Sequence, residues 1–456
     1  MHTNKVTALS VLGRRLVLVG FLGLAAFASG ACKSTSTSTD VPAAESVDRA
    51  PTYVYEVTYK PGVVVVDEAT VSASLLDMSD DGATFTFDAS ATGIDGLQPG
   101  AVVLIWGLAL RKVTTVDTQG ATIVVQTDPA ALTDAIQDGT IKWDQGIDFT
   151  SGGSGNFVNA GSGVVTDDGG VATRKFGVSL KPGEQSLSGK VDDYDYKLTF
   201  KPTPGKLEVE VEISRKDAGI ELSVSAKGFV NKFRTSADIA IAGGETTSAS
   251  MSNDSVFGEM NLSFTAGKPT NADSSGQTIL KIPFSFKIPI PMPGGFPAFV
   301  QVQAGFAITM ALTSTNASAA GSYVIPFHGS AGFQLPAGAG DPTPAGAMEA
   351  DPKIGDGTTT TSLGVSAMGV QVGFPHIGLG IGVSELQTMA YVSQVTSAQL
   401  KTPGELGLIH CQAHSLELST QVGVQAEVFG LKFNSASKEL YKKSVDLTLP
   451  EGTSCN

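Results

Sequence analysis

Residues 207–227 read LEVEVEISRKDAGIELSVSAK. Leu207, Val209, Val211 and Ile213 alternate with Glu208, Glu210 and Glu212, and after a turn over residues 215–219 the alternation resumes with Ile220, Leu222, Val224 and Ala226. Successive side chains of a strand point to opposite faces, so a strict period of two predicts a hairpin with one dry face and one wet face. A helix would instead repeat its apolar positions every three or four residues.

The same alternation extends in both directions. Over 191–200, Asp193, Asp195 and Lys197 interleave with Tyr194, Tyr196, Leu198 and Phe200. A longer amphipathic pair is predicted over 279–290 and 298–312, with Pro283 and Pro289 confining the first strand to an edge or a bulge, because proline cannot donate to a ladder. Residues 335–362, with LPAGAGDPTPAGAM and GDGTTTTS, read as a loop, and 363–449 return to alternating strands. Toward the N-terminus, 51–145 form a smaller unit. Thr52 to Tyr59 alternates, Gly62 to Val66 is a short apolar strand, Ala101 to Leu110 is an apolar run around Trp106, and Ala121 to Gln126 is a further strand. Within TDPAALTDAIQDG, residues 127–139, Asp128 suits a helix cap, Pro129 its first turn and Gly139 its end, with Leu132 and Ile136 stacked one turn apart. The Gly/Ser-rich stretch 150–163 separates this unit from the rest.

The expected fold is therefore all-β: a small β-rich unit with one short helix at 51–145, then a large antiparallel domain at 146–456 built as a sandwich or a barrel-like body. Periodicity alone does not separate those two. The 53 glycines and the 16% of charged residues suit sheets joined by tight turns.

The first 32 residues follow a different logic. Lys5, Arg14 and Arg15 precede an apolar run from Leu16 to Phe27, and Ala28, Ser29, Gly30 and Ala31 lead into Cys32. A cationic start, a short apolar stretch and small residues make an export signal, and the apolar run is too short to span a bilayer. Arg14-Arg15 is followed by Leu16 and Val17, which fit a twin-arginine signal poorly and favour the general secretory route. The segment resembles the signal peptides of bacterial lipoproteins over residues 1–32, with Ser29 standing where that family prefers Leu. The resemblance implies a signal peptide at 1–31, lipidation of Cys32 and a mature chain anchored by its acyl chains in the cell envelope. The alternative is an ordinary signal peptide cut after Ala31. Lys33 is not the Asp that retains some lipoproteins at the inner membrane, which favours the outer membrane. Residues 32–50, with KSTSTSTD after the Cys, read as a flexible tether.

Losing residues 1–31 removes Lys5, Arg14 and Arg15 from 30 Lys and Arg and none of the 44 Asp and Glu, taking the net charge from −14 to about −17. An acidic surface repels phosphates, so nucleic acid is not an expected partner. With Cys32 assigned to the anchor, Cys411 and Cys455 remain, and in an exported chain they most simply form a disulfide bond. Their loop of about 44 residues is worth roughly 4 kcal/mol in the chain-entropy account.

Candidate chemistry is sparse. The chain lacks His-Glu-x-x-His, a phosphate loop and a Gly-x-Ser-x-Gly elbow. His410 and His414 flank Cys411, but on a strand residues four apart are about 13 Å apart, too far to share one metal. Asp192, Asp193 and Asp195 read as a solvated face beside Tyr194 and Tyr196 rather than a calcium loop. No metal or other cofactor is expected. The stretch IPFSFKIPIPMPGGFPAF, residues 282–299, is a candidate wall for a hydrophobic ligand through Ile282, Phe284, Phe286, Ile288, Ile290, Phe296 and Phe299, its alternative being a core hairpin with a proline-stiffened connection. Three function classes survive. They are a tethered structural or binding module of the envelope whose partner is an envelope protein or polysaccharide, a carrier of lipid or another hydrophobic ligand, and an enzyme acting on envelope or extracellular polymers.

Overall fold

The alternating segments become strands in the computed structural model, which describes residues 47–79, 82–94, 96–150, 157–165, 171–179, 185–191, 194–217, 220–267, 280–312, 318–335, 343–354, 360–361, 366–381, 388–402, 412–424 and 436–449. The first part holds β1 (Thr52–Tyr59), β2 (Val64–Val66), α1 (Glu68–Ser74), β3 (Leu75–Met78), β4 (Thr84–Asp88), β5 (Val102–Ile105), β6 (Ala109–Gln119), β7 (Thr122–Pro129), α2 (Leu132–Ala135) and β8 (Ile136–Gly146). Six of these strands form a small sheet in the order β2-β5-β6-β7-β4-β3, antiparallel except for the β2/β5 pair. Its own core contains Phe85, Phe87, Val103, Ile105 and Val125. The apolar run at 101–110 is explained by β5 and β6 being covered on both faces, since Leu104 and Leu110 belong to the core of the large body.

Two expectations for this part are corrected. The small unit does not reach from 51 to 145, because β1 pairs with β8 and β8 with a strand of the large sheet, where Ile141 and Trp143 join the main core. The helix expected over 128–139 is a single turn at 132–135. Asp128 and Pro129 complete β7, and it is the Asp134 carboxylate that accepts the Ala131 N–H at 2.9 Å. The longer helix, α1, starts where the Asp67 carboxylate accepts the Thr70 N–H at 2.8 Å.

Next come β9 (Phe157–Val165), β10 (Val171–Ser179), β11 (Gln185–Val191), β12 (Tyr194–Thr203), β13 (Lys206–Asp217), β14 (Ile220–Asn231), β15 (Arg234–Ala242), β16 (Glu245–Gly267), β17 (Leu280–Pro289), β18 (Ala298–Leu312) and β19 (Ser318–Leu335). The hairpin read at 207–227 is β13 and β14, in register from Lys206 opposite Asn231 to Asp217 opposite Ile220. β16 is the spine of the larger sheet. β15 pairs with its first half and β14 with its second, and at the changeover Ser255 takes a φ of 59°, a left-handed conformation rare outside glycine. β19 runs along nearly all of its other edge.

The chain ends with β20 (Thr343–Ala350), β21 (Lys353–Ile354), β22 (Thr360–Thr361), β23 (Ser366–Ile381), β24 (Thr388–Thr402), β25 (Gln412–Val424) and β26 (Ala436–Leu449). The region expected as a loop at 335–362 thus contains β20, an edge strand on β19 that tolerates Pro344 because its far side needs no donor. The expected linker at 150–163 likewise gives way to β9 from Phe157 onward.

A twelve-stranded sheet follows the path β1-β8-β15-β16-β14-β13-β12-β11, with β19 beside β16 and β20, β21 and β22 on β19. An eight-stranded sheet runs β10-β9-β17-β18-β23-β24-β25-β26. β17 is therefore an inner strand, with neither the edge position nor the bulge that its prolines predicted. The reason is local: the β17/β9 ladder is interrupted at Ile282 and Pro283, and it ends at Phe286, before Pro289. The two large sheets face one another across one core. Phe200 of the first stacks on Phe286 of the second at 6.5 Å, and Phe327 meets Phe374 edge-on at 6.2 Å. The body is a β-sandwich, and all the described residues fall in one compact unit, 43–456.

Candidate functional site

The residues nominated from sequence part company here. Cys32, Cys411 and Cys455 lie outside the described residues, as do His410, Asp192 and Asp193. Of the apolar stretch, Phe286, Ile288, Ile290, Phe296 and Phe299 are buried members of the sandwich core or its border, while Ile282 and Phe284 lie in β17 with side chains outside the described set. Phe296 packs on Tyr55 at 5.6 Å, and the Lys287 ammonium sits 4.9 Å from the Phe299 ring centroid. Between the two strands, Gly294 and Gly295 take φ values of 69° and 68° and press against Tyr55 and Trp106. A Cβ at Gly295 would come within 2.0 Å of the Trp106 indole, and the Gly107 N–H donates to the Gly295 carbonyl at 2.7 Å. The proline-glycine connection is a seam that fastens the small sheet to the sandwich.

The outward face of β12, β13, β14 and β16 carries a different arrangement. Its register sets Lys201 opposite Glu208, Glu208 opposite Phe229 and Phe229 opposite Glu259; the next row is Thr199, Glu210, Lys227 and Asn261. A groove of about 190 Å³ opens between these rows, lined by Thr199, Glu210, Lys227, Phe229 and Asn261 among others. Phe257 of β16, 36% exposed, lies 6.3 Å from Phe229 at a tilt of 51°, and the Lys206 ammonium stands 5.3 Å from the Phe229 centroid. The ions of this face pair with one another: Lys206 with Glu208, Lys227 with Glu210. The hydrogen bond from Lys227 holds the Glu210 carboxyl below the usual carboxylate range, and the same bond raises the Lys227 ammonium. Beyond the groove the face continues in hydroxyls, with Ser225 opposite Ser263 and Ser263 opposite Ser322, then Ser223 opposite Thr265.

Sequence reading missed Phe229 and Phe257, although a signal existed. Phe229 occupies the wet register of β14 with Ser223, Ser225 and Lys227, and Phe257 that of β16 with Glu259, Asn261 and Ser263. An aromatic residue where the alternation demands a polar one is an exposed apolar group, and a pair of them is a patch.

Two further polar constellations are buried. Arg234, 3% exposed, pairs with Asp144 and donates to the carbonyls of Arg49 at 3.0 Å and Asp144 at 2.9 Å, and more loosely to those of Val47 and Ala50 at 3.4 Å. Lys232 reaches Asp48 at 2.7 Å and Arg49 reaches Asp144 at 3.3 Å, so the segment 47–50 is clasped at the start of β15. Beside it, Thr235 lies opposite both Gln145 and Asn253, and neither amide atom of Asn253 nor the Thr235 hydroxyl finds a hydrogen-bond partner among the described residues. Asn253 is 1% exposed, which removes the Asn-x-Ser triplet starting there as a modification site.

Nothing described assembles a catalytic group. Among the described residues no three His, Cys, Asp or Glu side chains come together to hold a metal ion, and no helix is long and apolar enough to cross a membrane. His328 sits in β19, 3.7 Å from Glu349, and His376 in β23, where burial drives its imidazole down to about 4 and keeps it neutral.

The molecule's two parts correspond to two families. Residues 44–138, which span the small sheet and β1, match a Domain of unknown function (DUF8403), and residues 179–437, which span most of the sandwich, match a Domain of unknown function (DUF8402). No curated protein and no solved structure matches the chain. With more than half its length in the second match, the chain belongs to the family described as Domain of unknown function (DUF8402).

Proposed function

We propose that this protein is a lipid-anchored binding module of the bacterial cell envelope, held at Cys32 in the outer membrane and binding its partner on the outward face of β12, β13, β14 and β16. The observation that carries this reading is the exposed Phe257 ring packed on the half-buried Phe229 beside a groove on an otherwise polar sheet face. Apolar surface gathered in one place and rimmed by polar residues marks an interaction site. The anchor is supported by the order of residues 1–32: basic start, apolar run, small residues, Cys. A bridge between Cys411 and Cys455 belongs to the same reading.

The test uses the full chain kept in detergent micelles, which occupy its acyl chains, and envelope fragments stripped of lipid. The wild type should be retained, and Phe229→Ala with Phe257→Ala should weaken retention about tenfold or more while leaving the circular dichroism spectrum unchanged. Equal retention of the double variant would reject the face. Mass spectrometry of the mature N-terminus should find acyl chains on Cys32, and an unmodified Cys32 would reject the anchor.

A further inference from the structure

We infer that the groove beside Phe229 takes an uncharged polysaccharide strand, an inference that rests on the binding-module reading and names its ligand class. Three features of the face converge on that chemistry.

The first is charge. The groove is bordered by Lys201, Lys206 and Lys227 and by Glu208, Glu210 and Glu259, three of each sign. Lys206 and Lys227 are ion-paired to Glu208 and Glu210, and the Asn261 amide donates to Glu259 at 2.7 Å. On a chain whose net charge is −14, this is a locally neutral patch whose ions are already matched to each other. A polyanion would meet no surplus of cations here and a repulsive body around it. A polycation would have to break the existing pairs.

The second is the combination of ring faces with uncharged hydrogen-bonding groups. Phe257 offers an exposed ring beside the half-buried Phe229, while Thr199 and Asn261 line the groove one row away along the strands. Pyranose rings are amphiphilic in the same way, with a C–H face that covers an aromatic ring and an edge of hydroxyls that need donors and acceptors. An acyl chain would desolvate the Lys227–Glu210 pair and the Asn261 amide while offering neither a hydrogen bond, which is costly.

The third is extent. The serine and threonine rows at Ser225, Ser263 and Ser322 and at Ser223 and Thr265 continue the polar face away from the rings. From Phe257 to Thr265 the track is about 26 Å long, far more than one sugar ring requires and suited to a strand of several. A protein partner fits less well, because the outward residues on these strands include no Trp, Tyr or Arg, the side chains that dominate protein-protein hot spots.

The experiment treats the envelope fragments before binding the full chain, with periodate to open vicinal diols in one sample and with protease in another, and repeats the binding at high salt. Retention should vanish after periodate, survive protease and hold from about 0.05 to 0.5 M salt. Phe229→Ala should lose about tenfold in retention and Phe229→Tyr should restore it. Retention that survives periodate and is lost to protease would overturn the inference in favour of a protein partner. Retention that collapses with salt would overturn it in favour of a charged ligand. In both cases the binding face would stand. Failure of the untreated wild type to bind at all would instead overturn the module reading itself.

Discussion

Arg234 shows how much one side chain is asked to do in this fold. Its guanidinium is buried and spends its donors on Asp144 and on carbonyls of the incoming chain, so Arg234→Ala would leave those carbonyls without their donor and Asp144 with only the exposed Arg49. Removing one member of a buried, hydrogen-bonded pair costs about 3 kcal/mol, and the denaturant midpoint of the variant should fall accordingly. The variant should also be cut by protease near 47–50 faster than the wild type, since the clasp is what holds that segment. His376 gives a second handle. Its folded pKa, about 4, lies below the ordinary value of 6.5, so between those values the unfolded chain takes up a proton that the folded one refuses. Stability should therefore fall as pH drops from about 6.5 toward 4, and His376→Gln should flatten that slope in thermal melts. Glu210 acts in a lower window. Its depressed pKa contributes stability above 4.5 that is lost only as pH falls through the folded value, so the two groups separate along the pH axis.

At the scale of elements, what could be read ahead of the structure depended on whether the signal was local. The β13/β14 hairpin was legible because every second residue is apolar and the intervening ones are charged or hydroxylic, a pattern only a half-buried strand satisfies. The segment 128–139 misled because Asp and Pro mark the end of a strand as well as the start of a helix, and the return to extended backbone at Ile136 is decided by pairing with β1, which is remote in sequence. β17 misled in the same way, since two prolines forbid donors at two positions and the ladder to β9 simply breaks at Pro283. The membership of β1 and β8 in the large sheet was not legible at all, because partner choice between strands is not written in either strand alone. For the site the balance is similar. The rings at 229 and 257 stand visibly in a polar register, but only the pairing of β14 with β16 brings them together. The proposed bridge between Cys411 and Cys455 has its own test. Reduction, or Cys455→Ser, should lower unfolding stability by roughly 4 kcal/mol, measured as a shift in denaturant midpoint with and without reductant. An unchanged midpoint would mean that Cys411 and Cys455 are not joined.

The whole molecule divides its labour between faces. The inner faces of the two large sheets make one apolar core that includes Phe286, Ile288, Ile290 and Phe296, the Gly294-Gly295 seam ties the small sheet to it, and the outer face of the twelve-stranded sheet carries the proposed binding groove. In this arrangement the described large apolar side chains of the stretch, from Phe286 to Phe299, are packed inside, and the proposed recognition surface lies where single rings interrupt a polar pattern. The most direct measurement is hydrogen-deuterium exchange on the full chain, alone and with solubilised envelope polysaccharide. The account predicts added protection in β14 around Ser225 to Phe229 and in β16 around Phe257 to Ser263, with the eight-stranded sheet unchanged. Protection confined to the eight-stranded sheet or the small sheet, or no change anywhere on binding, would contradict it.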